Sequence, residues 1–263
     1  MSNIGKVDSL WRYPVKSMRG EDLNEAFVGF SGIYCDRMFA FRSSASPKGF
    51  PYLTAREQRT LLQYRPRFRH PDKAARPINL AEAEGIGPGL NPVSADAPDL
   101  MVDVEAPTGE TLAIDDPALI RMIGRGVHGG PDLRLVRSDR AMTDCRPVSL
   151  ISVQSVRNLG EEIGSSVDQR RFRANIYVDF IAGTGFAEDR FVGRSVSLGA
   201  KVVLSILERD PRCAMITLDP ETGESKPALL KQVAQAHKGM AGVYGAVLVE
   251  GMLQKGDAVE LLD

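Results

Sequence analysis

The segment Glu208-Arg209-Asp210-Pro211-Arg212-Cys213-Ala214-Met215-Ile216-Thr217-Leu218-Asp219-Pro220-Glu221-Thr222-Gly223-Glu224 sets one cysteine between an arginine and an apolar run. Ala214–Leu218 reads as a short strand. Asp219–Gly223 reads as a tight turn, with proline pre-set at its second position and glycine free to take positive φ. Cys213 then stands at the mouth of a strand with a guanidinium beside it. A neighbouring cation favours the thiolate, which is both the nucleophile and the metal ligand. A buried, inert thiol is the other reading, because free cysteine is among the most buried residue types.

Outward from this segment, strand signals dominate. Val192–Gly199 and Ala200–Leu207 read as strands paired around Gly199. Ala228–Ala236 reads as a helix, and Gly245–Glu250 and Asp257–Leu262 as closing strands. Upstream, Ser149–Ser152 leads into a helix over Val153–Ile163, where Val153, Val156, Leu159 and Ile163 fall at helical spacing. Gln169–Asn175 is a basic loop running into a strand. In the first half, Val7–Tyr13, Leu23–Phe27, Arg37–Arg42 and Leu133–Val136 read as strands. Leu100–Val104 and Thr111–Ile114 read as a hairpin. Tyr13–Gly20 and Ser43–Phe50 are loops, and Pro71–Pro98 an irregular excursion. Thr54 caps a helix over Ala55–Gln63, and Pro117–Ile123 forms another. Many short strands with few helices predict a mainly β (α+β) chain of barrel type. The best division falls near Ala141–Arg146, giving regions 1–143 and 144–263.

Composition narrows the chemistry. The 263 residues carry a formal net charge of −1, so no global field draws nucleic acid or an anionic membrane. An anion must be held by a local cluster. Three cysteines, Cys35, Cys145 and Cys213, with no C-x-x-C pair, argue against a disulfide framework, a structural zinc site or an iron–sulfur cluster. Cys35 and Cys145 are expected in the core. No leader-like or spanning apolar stretch is present, and a reducing cytoplasmic compartment is the expectation.

Four segments place cations or hydroxyls on turns: Lys16-Ser17, Arg37, Arg170–Asn175 and Arg212. If the Arg37 strand is buried, Arg37 needs a paired anion, because an unpaired buried charge is very costly. Arg173 and Asn175 flank Ala174 and so point to one face of an extended segment. Guanidinium and amide groups are suited to phosphate oxygens. Each segment alone is equally consistent with a solvated loop or a structural ion pair. A metal on a soft sulfur ligand, carried by a phosphate-bearing organic group, satisfies both the thiolate and the cations.

Arg212-Cys213 with Asp219-Pro220-Glu221-Thr222-Gly223 resembles the signature of MOSC domains. Phe172-Arg173-Ala174-Asn175-Ile176 is similar to the family's Phe-Arg-Pro-Asn-Ile segment. Tyr13-Pro14-Val15-Lys16-Ser17 and Asp36-Arg37 resemble the N-terminal β-barrel domain of the mitochondrial amidoxime-reducing component and its bacterial relatives. The resemblance implies a MOSC-type β-barrel with an N-terminal β-rich domain and a molybdenum-pyranopterin cofactor. It assigns the molybdenum-ligating, catalytic cysteine to Cys213. It assigns contacts with phosphate and pterin to Lys16, Ser17, Arg37, Ser152, Arg173, Asn175 and Arg212. The implied reaction is two-electron reduction of N-hydroxylated compounds such as amidoximes, hydroxylamines and N-hydroxylated bases. No ferredoxin-like cysteines follow the last strand, so a separate donor of ferredoxin, flavodoxin or cytochrome type is expected. No N-terminal anchor is seen, so no membrane partner is expected. Asp219 is expected to order its turn, and His128 to be a loop residue without a role. Two alternatives stay open: a sulfur carrier or sulfurtransferase with a Cys213 persulfide, and a non-catalytic carrier of the cofactor.

Overall fold

The computed structural model describes residues 2–82 and 93–262. The expected excursion over 71–98 therefore lies partly outside the described residues. In chain order the first region carries β1 (Ser2–Arg12), β2 (Glu21–Leu23), β3 (Glu25–Gly29), β4 (Gly32–Ile33), β5 (Phe39–Ser43) and β6 (Arg65–Phe68). It continues through α1 (Pro71–Ala75), β7 (Val102–Glu105), β8 (Thr111–Ala113), α2 (Pro117–Arg125) and β9 (Leu133–Arg137). The second carries β10 (Val148–Ser152), α3 (Val153–Glu162), β11 (Ile176–Phe180), β12 (Ser195–Leu198) and β13 (Val202–Pro211). It ends with α4 (Pro227–Ala236), β14 (Met240–Val249), β15 (Gly251–Gln254) and β16 (Ala258–Leu262).

Seven strands close into a barrel in the order β1-β11-β10-β14-β13-β12-β16, with β16 returning to β1. The fold is mainly β with a few short helices, as the strand signals predict. Closure works because β1 pairs along both edges. Gly5–Leu10 meet Phe180–Ile176 of β11, and Ser2–Lys6 meet Leu261–Ala258 of β16. The barrel thus draws strands from both sides of the 143/144 division. Its interior is filled by residues such as Val7, Leu10, Val148, Ile176, Val178, Val202, Leu204 and Val243. Branched side chains suit a pleated, buried surface, and closure removes exposed edges. β10 and β11 run parallel, with α3 in the crossover between them.

Three small sheets, β15-β3-β4, β5-β9 and β6-β7-β8, flank the barrel. They surround a second core that includes Phe39, Leu61, Leu100, Val104, Leu119 and Ile123. Within it α2 starts as its sequence dictates. Asp116 accepts from the Ala118 amide at 2.7 Å, and Pro117 sits in the first turn.

Several local expectations give way. Ala214–Leu218 is not a strand, because Ala214–Thr217 forms a 3-10 turn. Thr217 Oγ1 donates to the Ala214 carbonyl at 2.7 Å, and the turn packs against α4 rather than pairing in a sheet. Over Ala55–Gln63, only Arg59–Gln63 is helical, again as 3-10. The β5 strand starts at Phe39, because Arg37 takes φ +43° in a turn ahead of it. Cys35 is buried as expected, whereas Cys145 is exposed and lies 3.8 Å from Glu208 Oε1. No described helix is long and apolar enough to cross a membrane.

Candidate functional site

The site forms where β13 and β14 leave regular pairing. Their register shifts between Ile206 and Glu208 and again between Arg209 and Pro211. Bulges of this kind re-aim side chains at barrel rims. Here they deliver Asp210, Arg212 and Cys213 into a pocket with Lys16, Ser17, Arg37, Arg173 and Asn175. Four segments remote in sequence therefore meet around one cavity. Cys213, partly exposed, is extended at φ −119° and immediately precedes the 3-10 turn.

Arg37 and Arg173 form the inner wall. Both guanidinium carbons lie over the Tyr13 ring, 4.3 and 4.2 Å from its centroid. Arg37 pairs with the buried Asp36 and donates to the Arg173 carbonyl at 2.9 Å. Arg173 Nη1 donates to the Met18 carbonyl at 2.8 Å, while its Nη2 is buried without a hydrogen-bond partner. Burial pulls Arg173 below the usual guanidinium range, with Arg37 adding to the effect and Tyr13 and Asp36 opposing it. Ser17, Arg37 and Arg173 all have positive φ, at 65°, 43° and 51°. Non-glycine residues held there are uncommon and collect at functional sites.

Lys16 is buried, and its Nζ contacts Asp144 Oδ1 and the Met142 carbonyl, the latter at 2.8 Å. Burial pushes its ammonium below the ordinary lysine value, against the pull of Asp144. Phe50 and Tyr52 present their rings to Nζ at 5.1 and 5.4 Å. Arg212 is held by two hydrogen bonds and an ion pair: Nε donates to the Ala241 carbonyl at 2.7 Å and Nη1 to the Phe172 carbonyl at 2.9 Å, while Nη2 lies 2.8 Å from Asp210 Oδ2 without hydrogen-bond geometry. Gly242 allows this packing. It has φ +79°, and a Cβ there would lie 2.8 Å from the Leu150 carbonyl and 3.1 Å from Arg212 Nη2.

Two expected contacts differ. Ser152 is fully buried away from the pocket and caps α3, accepting from the Ser155 amide at 3.0 Å. A helix N-terminus recruits serine for its unpaired amides, and Ser149, earlier on β10, lines the pocket instead. Asn175 lines the pocket, but not from an extended segment shared with Arg173, which is left-handed. Its amide nitrogen is committed to Asp36 Oδ2 at 3.0 Å and the Trp11 carbonyl at 3.3 Å. Asn175 therefore positions Asp36 and, through it, Arg37.

Comparison with known proteins identifies the fold. The MOSC domain matches residues 125–260, and the MOSC N-terminal beta barrel domain matches residues 4–115. The chain belongs to the MOSC family. A molybdenum cofactor sulfurase of Drosophila ananassae is 34% identical over 99 residues, covering 36% of this chain and 12% of the relative. That of Drosophila yakuba is 29% identical over 139 residues, covering 51% and 16%. The chain thus spans less than a fifth of the length of these curated relatives. The YuaD protein from Bacillus subtilis has a TM-score of 0.47 at 11% identity, covering 98% of this chain and 94% of its own.

In this MOSC protein further groups stand in and behind the pocket, beyond the expected contacts. Asp36 accepts from the Tyr13 amide at 2.8 Å as well as from Arg37 and Asn175. Its pairing with Arg37 was foreshadowed only by the rule that a buried arginine needs an anion. Asp36 lies behind the cavity, whose lining includes Arg56, Asp144, Arg171, Asp210 and Tyr244. Arg171 braces the 3-10 turn through the Thr217 carbonyl and Asp219 Oδ2, both at 2.7 Å. Asp219 also accepts from the Glu221 and Thr222 amides, which gives it the turn-ordering geometry expected of it. His128 is exposed and outside the pocket. Seven lining side chains are cationic and two are carboxylates, so the cavity concentrates positive charge on a nearly neutral chain. The buried Nη2 of Arg173, still short of an acceptor, fits a phosphate oxygen, and Cys213 offers one soft ligand.

Proposed function

We propose that this MOSC protein holds a molybdenum-pyranopterin cofactor in the Lys16–Cys213 pocket and reduces N-hydroxylated compounds with electrons from a separate donor protein. The observation that carries the reading is the convergence of Cys213 with Lys16, Ser17, Arg37, Arg173 and Arg212 on one cation-rich cavity. Arg173 Nη2, Lys16 and Ser17 would bind the phosphate end, and Cys213 Sγ would hold the metal. When bound, the group supplies two-electron chemistry that removes oxygen from an N–OH nitrogen. Arg37, fixed by Asp36, and Arg212, fixed by Asp210, keep the cations from collapsing onto solvent. The reduction consumes two protons. Asp210 is buried, which pushes its carboxyl above the usual range against the pull of Arg212 and a hydrogen bond with Tyr244. Its part in the site is to hold Arg212 through their ion pair.

Protein made in cells that build the cofactor should contain about one molybdenum per chain, the stoichiometry of a single thiolate site. It should turn over a hydroxylamine or amidoxime with a reduced artificial dye. Cys213→Ser should lose both metal and turnover, and retention of full activity would refute the reading. A second reading is favoured by the curated relatives, which are sulfurases by name. A cyanide-labile sulfur on Cys213 in metal-free protein would select a sulfur-carrying role instead.

A further inference from the structure

A second groove runs alongside the pocket, and one element is the wall between them. In the 3-10 turn after Cys213, Met215 and Ile216 face the pocket, whereas Ala214, Thr217 and Leu218 face the groove. Arg56 borders both cavities. Arg59 and Lys231 join it along the groove, and no carboxylate lines it. All three cations are exposed, and none forms an ion pair among the described residues. Arg56 Nε donates to Thr54 Oγ1 at 3.2 Å, its guanidinium lies over the Phe50 ring, and its charge also acts on Asp144 without an ion pair. Neighbouring Glu57 spends Oε2 on the amide and hydroxyl of Thr54. The floor is apolar, with Leu218, Pro227 and Leu230.

We propose that this groove docks an acidic electron-carrier protein. The proposal rests on the reading of the pocket given above. Unpaired cations around a small apolar floor fit the transient, charge-steered contacts of redox partners, which are brief and modest in area. A carrier seated here would meet the backbone of Ala214, one bond from Cys213, without entering the pocket mouth that the substrate must use. Two electrons cross this wall in each turnover, and two protons come from solvent. The N–O bond of the substrate breaks, one proton goes to the nitrogen, and the other joins the departing hydroxyl to leave as water.

The test titrates the full chain with a plant-type [2Fe–2S] ferredoxin and, separately, with a flavodoxin, both acidic carriers. Saturable binding is expected near 20 mM salt, falling steeply by about 200 mM, where the screening length is below about 10 Å. Arg59→Glu combined with Lys231→Glu should weaken it by about tenfold or more. The same variant should keep wild-type dye-driven turnover and wild-type thermal stabilisation by pyrophosphate. Failure of both carriers to bind, or an unchanged dissociation constant in the double variant, would overturn the proposal. Tighter, salt-dependent binding of a single-stranded oligonucleotide than of either carrier would also overturn it. Absence of molybdenum and of dye turnover, with carrier binding intact and charge-sensitive, would instead sink the reading of the pocket and leave the docking surface standing.

Discussion

Arg37 donates to the backbone carbonyl of Arg173 at 2.9 Å, and the two guanidinium groups share the ring of Tyr13. Two largely enclosed cations held this close repel each other, and Asp36 pairs with Arg37. Left-handed backbone at both residues fixes the arrangement. On the proposed function an anion completes the cluster.

Pyrophosphate should raise the melting temperature of the wild-type protein, because a ligand that binds only the folded state stabilises it by mass action. Arg173→Ala removes one of the buried pocket nitrogens that lack an acceptor. The shift at a fixed ligand concentration should fall by most of its value in that variant. Differential scanning fluorimetry reads the difference, and an undiminished shift would locate the anion elsewhere.

Asp36→Ala should destabilise the fold by about 3 kcal/mol or more, the usual cost of stranding one member of a buried ion pair. It leaves Arg37 uncompensated and frees both the Tyr13 amide and the Asn175 amide. Asn175→Ala should cost less, about 1–2 kcal/mol, since it strands hydrogen-bonding groups but no full charge. Urea titration of the two variants checks the order.

Gly242→Ala should lower stability by about 1–3 kcal/mol, from the left-handed backbone it would strain. The new methyl also crowds Arg212 Nη2. Pyrophosphate stabilisation should therefore fall together with stability. Loss of stability with intact anion response would show that Arg212 lies outside the anion's reach.

Asp144 links the site to pH. Its carboxyl sits below the usual range: partial burial pushes it up, but the charge and hydrogen bond of Lys16, with Arg37 and Arg56, outweigh that. A depressed carboxylate adds stability above its unfolded value of about 3.9, and that stability is lost as the pH falls through the lower folded value. Asp144→Asn has no such proton to gain. Between pH 5 and about 3, the wild-type melting temperature should fall more steeply than that of the variant, and parallel curves would contradict this role.

The sequence alone settled whatever depends on neighbours in the chain. Alternation, turn residues and helical spacing marked the β7–β8 hairpin, the β12–β13 turn at Gly199, helices α2, α3 and α4, and the turn after Leu218. These follow from backbone preferences acting over a few residues. The same local signals exposed the unusual density of cations and hydroxyls on loops. What they did not reveal was which way those side chains point. Ser17, Arg37 and Arg173 aim into one cavity because tertiary contacts hold them at positive φ, where local propensity places few residues other than glycine. The committed amide of Asn175 likewise depends on remote partners, Trp11 and Asp36. Barrel closure through β1 made all of this possible, since pairing Gly5 with Phe180 and Lys6 with Ala258 joins positions that no short window of sequence contains.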